Sequence, residues 1–214
     1  MTTRLILWRH GVTDWNASGR FQGQTDIELN ATGHAQAHRA APVLAAMHPD
    51  ALYSSPLRRA RDTAQELAAL TGLDVILDDR LAEINVGSWA GWTTQQAIQA
   101  DPSFGTDLKA GRDHRRSPEG ETSTEAGARI GAALADIATR HEGQTVVVTS
   151  HGITGRMGVA YLLGWDYATA IMLRGLDNTG WSVMERDAFG WRMRAYNVTA
   201  AASVGIAVDD GVNS

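Results

Sequence analysis

Arg4-Leu5-Ile6-Leu7-Trp8-Arg9-His10-Gly11 near the start, and Thr145-Val146-Val147-Val148-Thr149-Ser150-His151-Gly152 far downstream, share one layout: an apolar run ending on His-Gly. An apolar, β-branched run such as Thr145–Thr149 is the pattern of a strand covered on both faces. Between the two runs the chain alternates strand and helix signals. Asn30 can cap a helix whose apolar positions continue through Val43, Leu44 and Met47. Ala51–Ser54 reads as a second short strand. Ser55-Pro56 then predicts a helix start, with a hydroxyl N-cap and proline at the first helical position. Leu57, Ala60, Ala64, Leu67 and Ala68 line one face of that helix, and Gly72 ends it. Asp74–Leu77 is a third strand. Capping boxes at Thr93–Gln96 and Thr122–Glu125 open helices running to Asp101-Pro102 and to about Arg140. The helix after His151 ends near Gly164. Gly180–Arg186 and Trp191–Asn197 flank Asp187–Gly190 as a hairpin. The alternation predicts an α/β fold: a doubly wound, mostly parallel sheet with helices on both faces and an antiparallel edge hairpin. Such sheets bind ligands beyond the carboxyl ends of their strands, where both histidines fall.

At 214 residues the chain is long enough for one such domain, expected over residues 1–199, with a small or polar, flexible tail at 200–214. A formal charge of −5 and the lack of a basic stripe argue against nucleic-acid binding. Zero cysteines exclude disulfides, thiolate catalysis and Cys-ligated zinc, and suit a reducing cytoplasm. No apolar run approaches the roughly 20 residues of a membrane helix. The N-terminus also lacks a signal-peptide layout. The edge hairpin could pair with a second subunit in a homodimer, or simply be protected.

His10 is the candidate nucleophile, because neutral imidazole attacks phosphorus once its other nitrogen is held by a fixed acceptor. Arg9 beside it offers the planar fork that matches phosphate oxygens. Taken alone, Arg-His-Gly fits a merely hydrogen-bonded histidine at a strand end better than a nucleophile. Arg58, Arg59 and Arg61 crowd a helix start, where cations oppose the macrodipole unless an anion binds there. They could also point into solvent. Glu83 follows the third strand among Leu81, Ala82, Ile84, Val86 and Trp89; apolar neighbours raise a carboxyl pKa, as a general acid requires. A solvated glutamate is the alternative. There is no His-Glu-x-x-His, no aspartate cluster, no P-loop and no Gly-x-Ser-x-Gly elbow. His34, His38, His48 and His141 read as surface residues, and Trp165, Trp181 and Trp191 as packing. The segment Asp113–Gly120, with His114, Arg115 and Arg116, could be a basic lid or a solvated loop.

Together these pieces resemble the histidine phosphatase, or phosphoglycerate-mutase-like, superfamily from Leu5 to about Thr199. The motifs are Leu7-x-Arg9-His10-Gly11-x-Thr13-x-x-Asn16 and Gln22-Gly23-Gln24-Thr25-Asp26 with Leu29, Gly33 and Gln36-Ala37. They continue through Ser54-Ser55-Pro56-Leu57-Arg58-Arg59-Ala60 with Thr63-Ala64, Glu83 with Gly87, Trp89 and Gly91, Gly120-Glu121, and Ser150-His151-Gly152. The resemblance implies that His10 becomes the phosphohistidine, and that Arg9, Arg59 and His151 surround the phosphoryl oxygens. Glu83 would protonate the leaving alkoxide and later deprotonate water. Asn16, Gln22 and Gly23 would lie beside the phosphate or the substrate. Fixed cations would meet the transition-state charge, so no metal or other cofactor is expected.

Val12 stands where Glu or Gln often follows Arg-His-Gly, and Glu119 and Thr122 replace the Gly and Ser of a Gly-Gly-Glu-Ser stretch. Val12 and Glu119 are therefore candidates to face the organic part of the ligand. The resemblance implies a phosphomonoesterase for a small phosphate ester, such as a sugar phosphate or a (glucosyl-)phosphoglycerate. Arg20-x-Gln22-Gly23-Gln24, Asn178-x-x-Trp181 and Tyr196-Asn197 resemble the actinobacterial glucosyl-3-phosphoglycerate phosphatase group. The alternatives are a cofactor-dependent phosphoglycerate mutase and a non-catalytic phospho-ligand-binding protein. Only roughly 30 residues separate Trp92 from Glu121, too few for the enclosing insertion of the mutases, and this favours hydrolysis.

Overall fold

The computed structural model describes residues 1–200. All of the expected tail except Ala200 thus lies outside the described residues. The strands are β1 (Thr3–Arg9), β2 (Ala51–Ser54), β3 (Val75–Leu77), β4 (Thr145–Ser150), β5 (Trp181–Asp187) and β6 (Gly190–Val198). The helices are α1 (Asp14–Ala17), α2 (Ala31–Ala45), α3 (Arg58–Thr71), α4 (Thr94–Ala100), α5 (Pro102–Lys109), α6 (Ser123–Arg140), α7 (Gly152–Leu162) and α8 (Tyr167–Ala170). One six-stranded sheet runs β3-β2-β4-β1-β5-β6. The pairs β3/β2, β2/β4 and β4/β1 are parallel, whereas β5 is antiparallel to both β1 and β6.

Alternation along β1 and β4 sends side chains to two separate cores. Leu5, Leu7, Val146 and Val148 meet Ile130, Leu134 and Ile137 of α6 and Val159 of α7. Ile6, Trp8 and Val147 meet Ala40, Ala41 and Leu44 of α2 and Ala64 and Leu67 of α3 on the other face. Each fully buried Leu, Ile or Val is worth about 1.5–3 kcal/mol relative to exposure, so the central strands are the stable frame. The edge β6 has only one strand neighbour, as the hairpin predicted.

Register decides what meets at the carboxyl edge. Arg9 of β1 lies opposite Ser150 of β4, and Ser54 of β2 lies opposite Thr149. The next residues, His10, His151 and Ser55, therefore leave three adjacent strands side by side.

Several predicted boundaries hold to within a residue or two, including the caps at Asn30, Thr93 and Thr122 and the left-handed Gly72 (φ 71°) closing α3. The Ser55-Pro56 helix start does not. α3 begins at Arg58, with Leu57 in the N-cap position and no side-chain cap from its own chain segment. Ser55 is still completing the ladder, its N–H donating to Thr149 O at 3.0 Å. Asp26 from a distant loop supplies the missing acceptor, taking the Arg58 N–H at 2.7 Å. Sequence reasoning also passed over α1, α5 and α8. Each carries a side-chain cap, from Thr13, Asp101 and Asp166, but is too short for its periodicity to stand out.

Candidate active site

His10 is 2% exposed, and its Nδ1 lies 2.6 Å from the carbonyl oxygen of Gly11. A carbonyl only accepts, so Nδ1 carries the proton and Nε2 keeps the lone pair. Burial, then Arg59, then Arg9, hold the His10 pKa well below its ordinary 6.5. The ring is thus a neutral imidazole of defined tautomer. Its backbone is fixed on several sides. The His10 N–H donates to Ser150 O at 3.1 Å, and its carbonyl accepts from Thr179 N at 3.2 Å and Asn178 Nδ2 at 3.0 Å. Gly11 and Gly33 permit the close approach of α2: a Cβ on Gly11 would fall 2.4 Å from Gly33 O.

Two guanidiniums face this ring, and main-chain carbonyls hold both. Arg59 is fully buried; it donates to Gly23 O at 2.7 Å and Thr25 O at 2.8 Å. Gly23 sits at φ 51° and a Cβ there would lie 2.5 Å from Val86, so the turn that presents its carbonyl needs glycine. Arg9 donates to Leu176 O. Burial lowers the Arg59 pKa to about 10 against the opposing pull of Glu83 and Asp26, and lowers that of Arg9 as well; both remain cations at neutral pH. Neither guanidinium takes part in an ion pair among the described residues, although nine other arginines do.

His151 is fully buried one layer further in, and its ring meets His10 edge-on with centroids 5.1 Å apart. Its pKa too is held well below 6.5, by burial, Arg59, His10 and Arg9 in that order. Its Nε2 lies 2.8 Å from Ser55 Oγ. Arg9 Nε, Arg59 Nε and His151 Nδ1 are buried with no hydrogen-bond partner, as is Gln22 Oε1. Buried polar atoms are almost always paired, so three nitrogens left open around one histidine mark a place built for a ligand's acceptors.

Glu83 closes the other side. Its carboxylate docks on the N-terminus of α7, with Oε1 accepting from Thr154 N at 3.1 Å and from Ile84 N at 2.9 Å, and Oε2 from Ile153 N at 3.3 Å. The apolar surroundings predicted for it are therefore half the picture: Ile84 and Val86 are buried beside it, but the carboxylate itself is held by N–H donors. Arg129 of α6, which sequence reasoning missed, clamps the main chain here. It bonds the carbonyls of Arg80, Ala82 and Glu83 and the Glu121 carboxylate. Glu121 in turn takes the Asn85 N–H. The Gly120-Glu121 motif was the available signal for this clamp.

A cleft of about 240 Å³ opens over these groups. Arg9, His10, Asn16, Gln22, Gly23, Arg59 and Glu83 line it, so every predicted site residue except His151 reaches its wall. Arg20, Phe21, Ile84, Val86, Gly152, Ile153 and Gly175 complete the wall. Asn16 also closes a capping box with Thr13, and its Oδ1 accepts from Asn178 Nδ2 at 3.3 Å. Arg58 pairs with Glu28 and Arg61 with Asp62, so of the three arginines only Arg59 turns inward. Val12 and Glu119, candidates to face the ligand, do not line the cleft: Val12 packs on Gly33, and Glu119 bonds Ser88 and Ser117.

The Asp113–Gly120 segment does not line the cleft, and its basic side chains are paired or packed. His114 bridges Asp101 and Asp107, Arg115 pairs with Glu125, and Arg116 is buried over the Phe104 ring. The surface reading of the other histidines needs one change, since His141 is half-buried and bonds Tyr53 Oη at 3.0 Å.

A family model described as the histidine phosphatase superfamily (branch 1) matches residues 5–199. The chain belongs to that superfamily. This histidine phosphatase is 36% identical to glucosyl-3-phosphoglycerate phosphatase of Mycobacterium tuberculosis, over 94% of this chain and 96% of that protein. It is 35% identical to phosphoserine phosphatase 1 of Hydrogenobacter thermophilus, over 86% and 87% of the two chains. Among solved structures, a mycobacterial glucosyl-3-phosphoglycerate phosphatase complexed with VO3 superposes with a TM-score of 0.83 at 36% identity, covering 92% of this chain and 99% of that one. The fold is phosphoglycerate-mutase-like, and the reaction class is that of a phosphoric monoester hydrolase.

Proposed function

We propose that this histidine phosphatase hydrolyses small phosphorylated metabolites through a phosphohistidine on His10, with no metal ion taking part. One observation carries the reading: a neutral His10 with Nε2 unprotonated, next to buried Arg9, Arg59 and His151 nitrogens that lack partners. In the first step Nε2 bonds to phosphorus as the P–O ester bond breaks, and Glu83 passes a proton to the departing alkoxide. In the second step the Glu83 carboxylate takes a proton from water as that water attacks the phosphohistidine. Inorganic phosphate leaves and His10 is restored. Arg9, Arg59 and His151 meet the charge on the equatorial oxygens, and Asn16, Gln22 and the Gly23 turn border the ester.

Turnover of p-nitrophenyl phosphate in EDTA tests this. Wild type is expected to be active and His10→Ala inactive; equal rates in the two proteins refute the role of His10. Trapping of labelled phosphate on His10 excludes a phospho-ligand-binding protein without turnover. Incubation with 3-phosphoglycerate separates hydrolysis, which releases phosphate, from a mutase, which yields 2-phosphoglycerate. Glucosyl-3-phosphoglycerate and phosphoserine, the substrates named for the relatives, head the panel to be ranked by kcat/KM. The same reading makes residues 1–199 one domain acting on a small molecule in the cytoplasm, without nucleic acid or membrane. It also has β6 able to pair two chains in a homodimer, which sedimentation velocity checks.

A further inference from the structure

Ser55 has no part in the scheme above, and the helix cap predicted for it is not what its hydroxyl does. It is fully buried at the carboxyl end of β2, and its Oγ lies 2.8 Å from His151 Nε2. The same Oγ accepts the Leu57 N–H at 3.3 Å. His151 is equally buried and, squeezed between desolvation and two guanidiniums, stays uncharged. An uncharged imidazole carries one proton, on Nδ1 or on Nε2. Which nitrogen carries it decides whether His151 can donate to an anion.

The hydrogen-bond inventory separates the two cases. If Nε2 carried the proton, it would donate to Ser55 Oγ. The Ser55 hydroxyl hydrogen would then be buried without an acceptor, and Nδ1 would present a lone pair in the cage of Arg9, His10 and Arg59. That lone pair would repel phosphoryl oxygens. If Ser55 donates to Nε2 instead, its hydroxyl is satisfied both as donor and as acceptor. The proton then sits on Nδ1, which joins Arg9 Nε and Arg59 Nε as the third buried nitrogen left open for a ligand. This arrangement strands one buried group, and the anion itself would satisfy it.

We propose that Ser55 is a positioning residue that donates its hydroxyl proton to His151 Nε2 and so locks His151 as the Nδ1–H tautomer, a donor to the transferring phosphoryl group. The two histidines then share a proton address and play opposite parts. In His10, Nδ1–H is spent on the Gly11 carbonyl so that Nε2 can attack. In His151, Nε2 is spent on Ser55 so that Nδ1–H can donate. The catalytic meaning of this lock rests on the phosphohistidine reading, but the tautomer itself can be measured without turnover.

Long-range 1H–15N correlation spectra of 15N-labelled protein at pH 7, with His151 assigned by loss of its signals in His151→Gln, provide the test. The expected pattern for His151 in wild type is a protonated, pyrrole-like Nδ1 and an unprotonated, pyridine-like Nε2. The reverse pattern, an averaged pair, or an imidazolium would overturn the proposal, whatever the activity. In Ser55→Ala the fixed pattern is expected to give way to Nε2–H or a mixture. kcat/KM for p-nitrophenyl phosphate should fall by up to roughly a hundredfold, the scale of losing one oriented oxyanion donor, mainly through kcat. Ser55→Thr, which keeps the hydroxyl, is expected to restore both. A Ser55→Ala protein with the wild-type tautomer and wild-type kcat would also overturn it. Should Ser55→Ala fail to fold, the wild-type spectrum decides alone. If p-nitrophenyl phosphate is not turned over but the Nδ1–H pattern stands, the phosphatase reading fails and the tautomer lock survives.

Discussion

Replacing His10 and His151 together by glutamine should flatten the pH dependence of folding between pH 6.5 and 5.5. In the native protein both imidazoles are held neutral, their pKa values well below the ordinary 6.5, by burial first and Arg59 second. In the unfolded chain each takes up a proton as the pH falls through 6.5. The unfolded state therefore binds more protons, and stability falls as the medium becomes more acidic. Integrating that difference over one pH unit below 6.5 costs about 1 kcal/mol per histidine, or about 2 kcal/mol for the pair. Carboxylates whose native pKa is lowered, such as Asp113, where burial pulls upward but the bonds from Thr124 and Ser123 together outweigh it, act in another window. Their stabilisation is complete above the ordinary 3.8 and is lost only as the pH drops below it. Urea denaturation of wild type and the double variant at pH 6.5, 6.0 and 5.5 gives the comparison directly. Wild type should lose about 2 kcal/mol more than the double variant across that range. Parallel slopes would show that the two rings protonate alike in native and unfolded chains. The neutral nucleophile, and the mechanism built on it, would then be wrong.

Arg59→Met should keep most of the buried volume but remove a phosphoryl donor and the ties to Gly23 O and Thr25 O. kcat/KM is expected to drop roughly 10²–10³-fold, measured by phosphate release; a loss under fivefold would take Arg59 out of the site. Glu83→Gln should cripple turnover of alkyl phosphates far more than the proton-independent departure of p-nitrophenolate, so the ratio of the two rates is the readout. Equal losses on both substrates would contradict a general-acid role. Gly33→Ala would bring a Cβ within 2.1 Å of Val12 O. It should destabilise the fold by about 1–3 kcal/mol in chemical denaturation, as overpacked cores do, and an unchanged midpoint would refute that packing.

The sequence showed best what is periodic or local. The two strand-His-Gly runs, the caps at Asn30, Thr93 and Thr122, and the hairpin all lie within a few residues of their own causes. Features that rest on a distant partner stayed hidden. Ser55 reads as a helix cap because Pro56 follows it, and nothing local reveals that β4 delivers His151 to its hydroxyl. Arg129 looks like one more charge on an amphipathic helix until the Glu83 segment folds against it. The polarity of the 113–120 loop was visible, but its hydrogen-bonding to Asp101, Asp107 and Glu125 was not. Likewise Asn178 belonged to a recognised segment, yet its bonds to His10 O and Asn16 Oδ1 need strands β1 and β5 to be neighbours first.

Arg9 and Arg59 are tethered by peptide oxygens, not by acidic side chains. An incoming dianion has no resident carboxylate to displace from either one, and the tethers themselves are main-chain atoms. Arg20 and Phe21, by contrast, line the cleft with less deeply buried side chains. Descendants of this chain could therefore trade one metabolite for another at the rim while inheriting the same chemistry underneath.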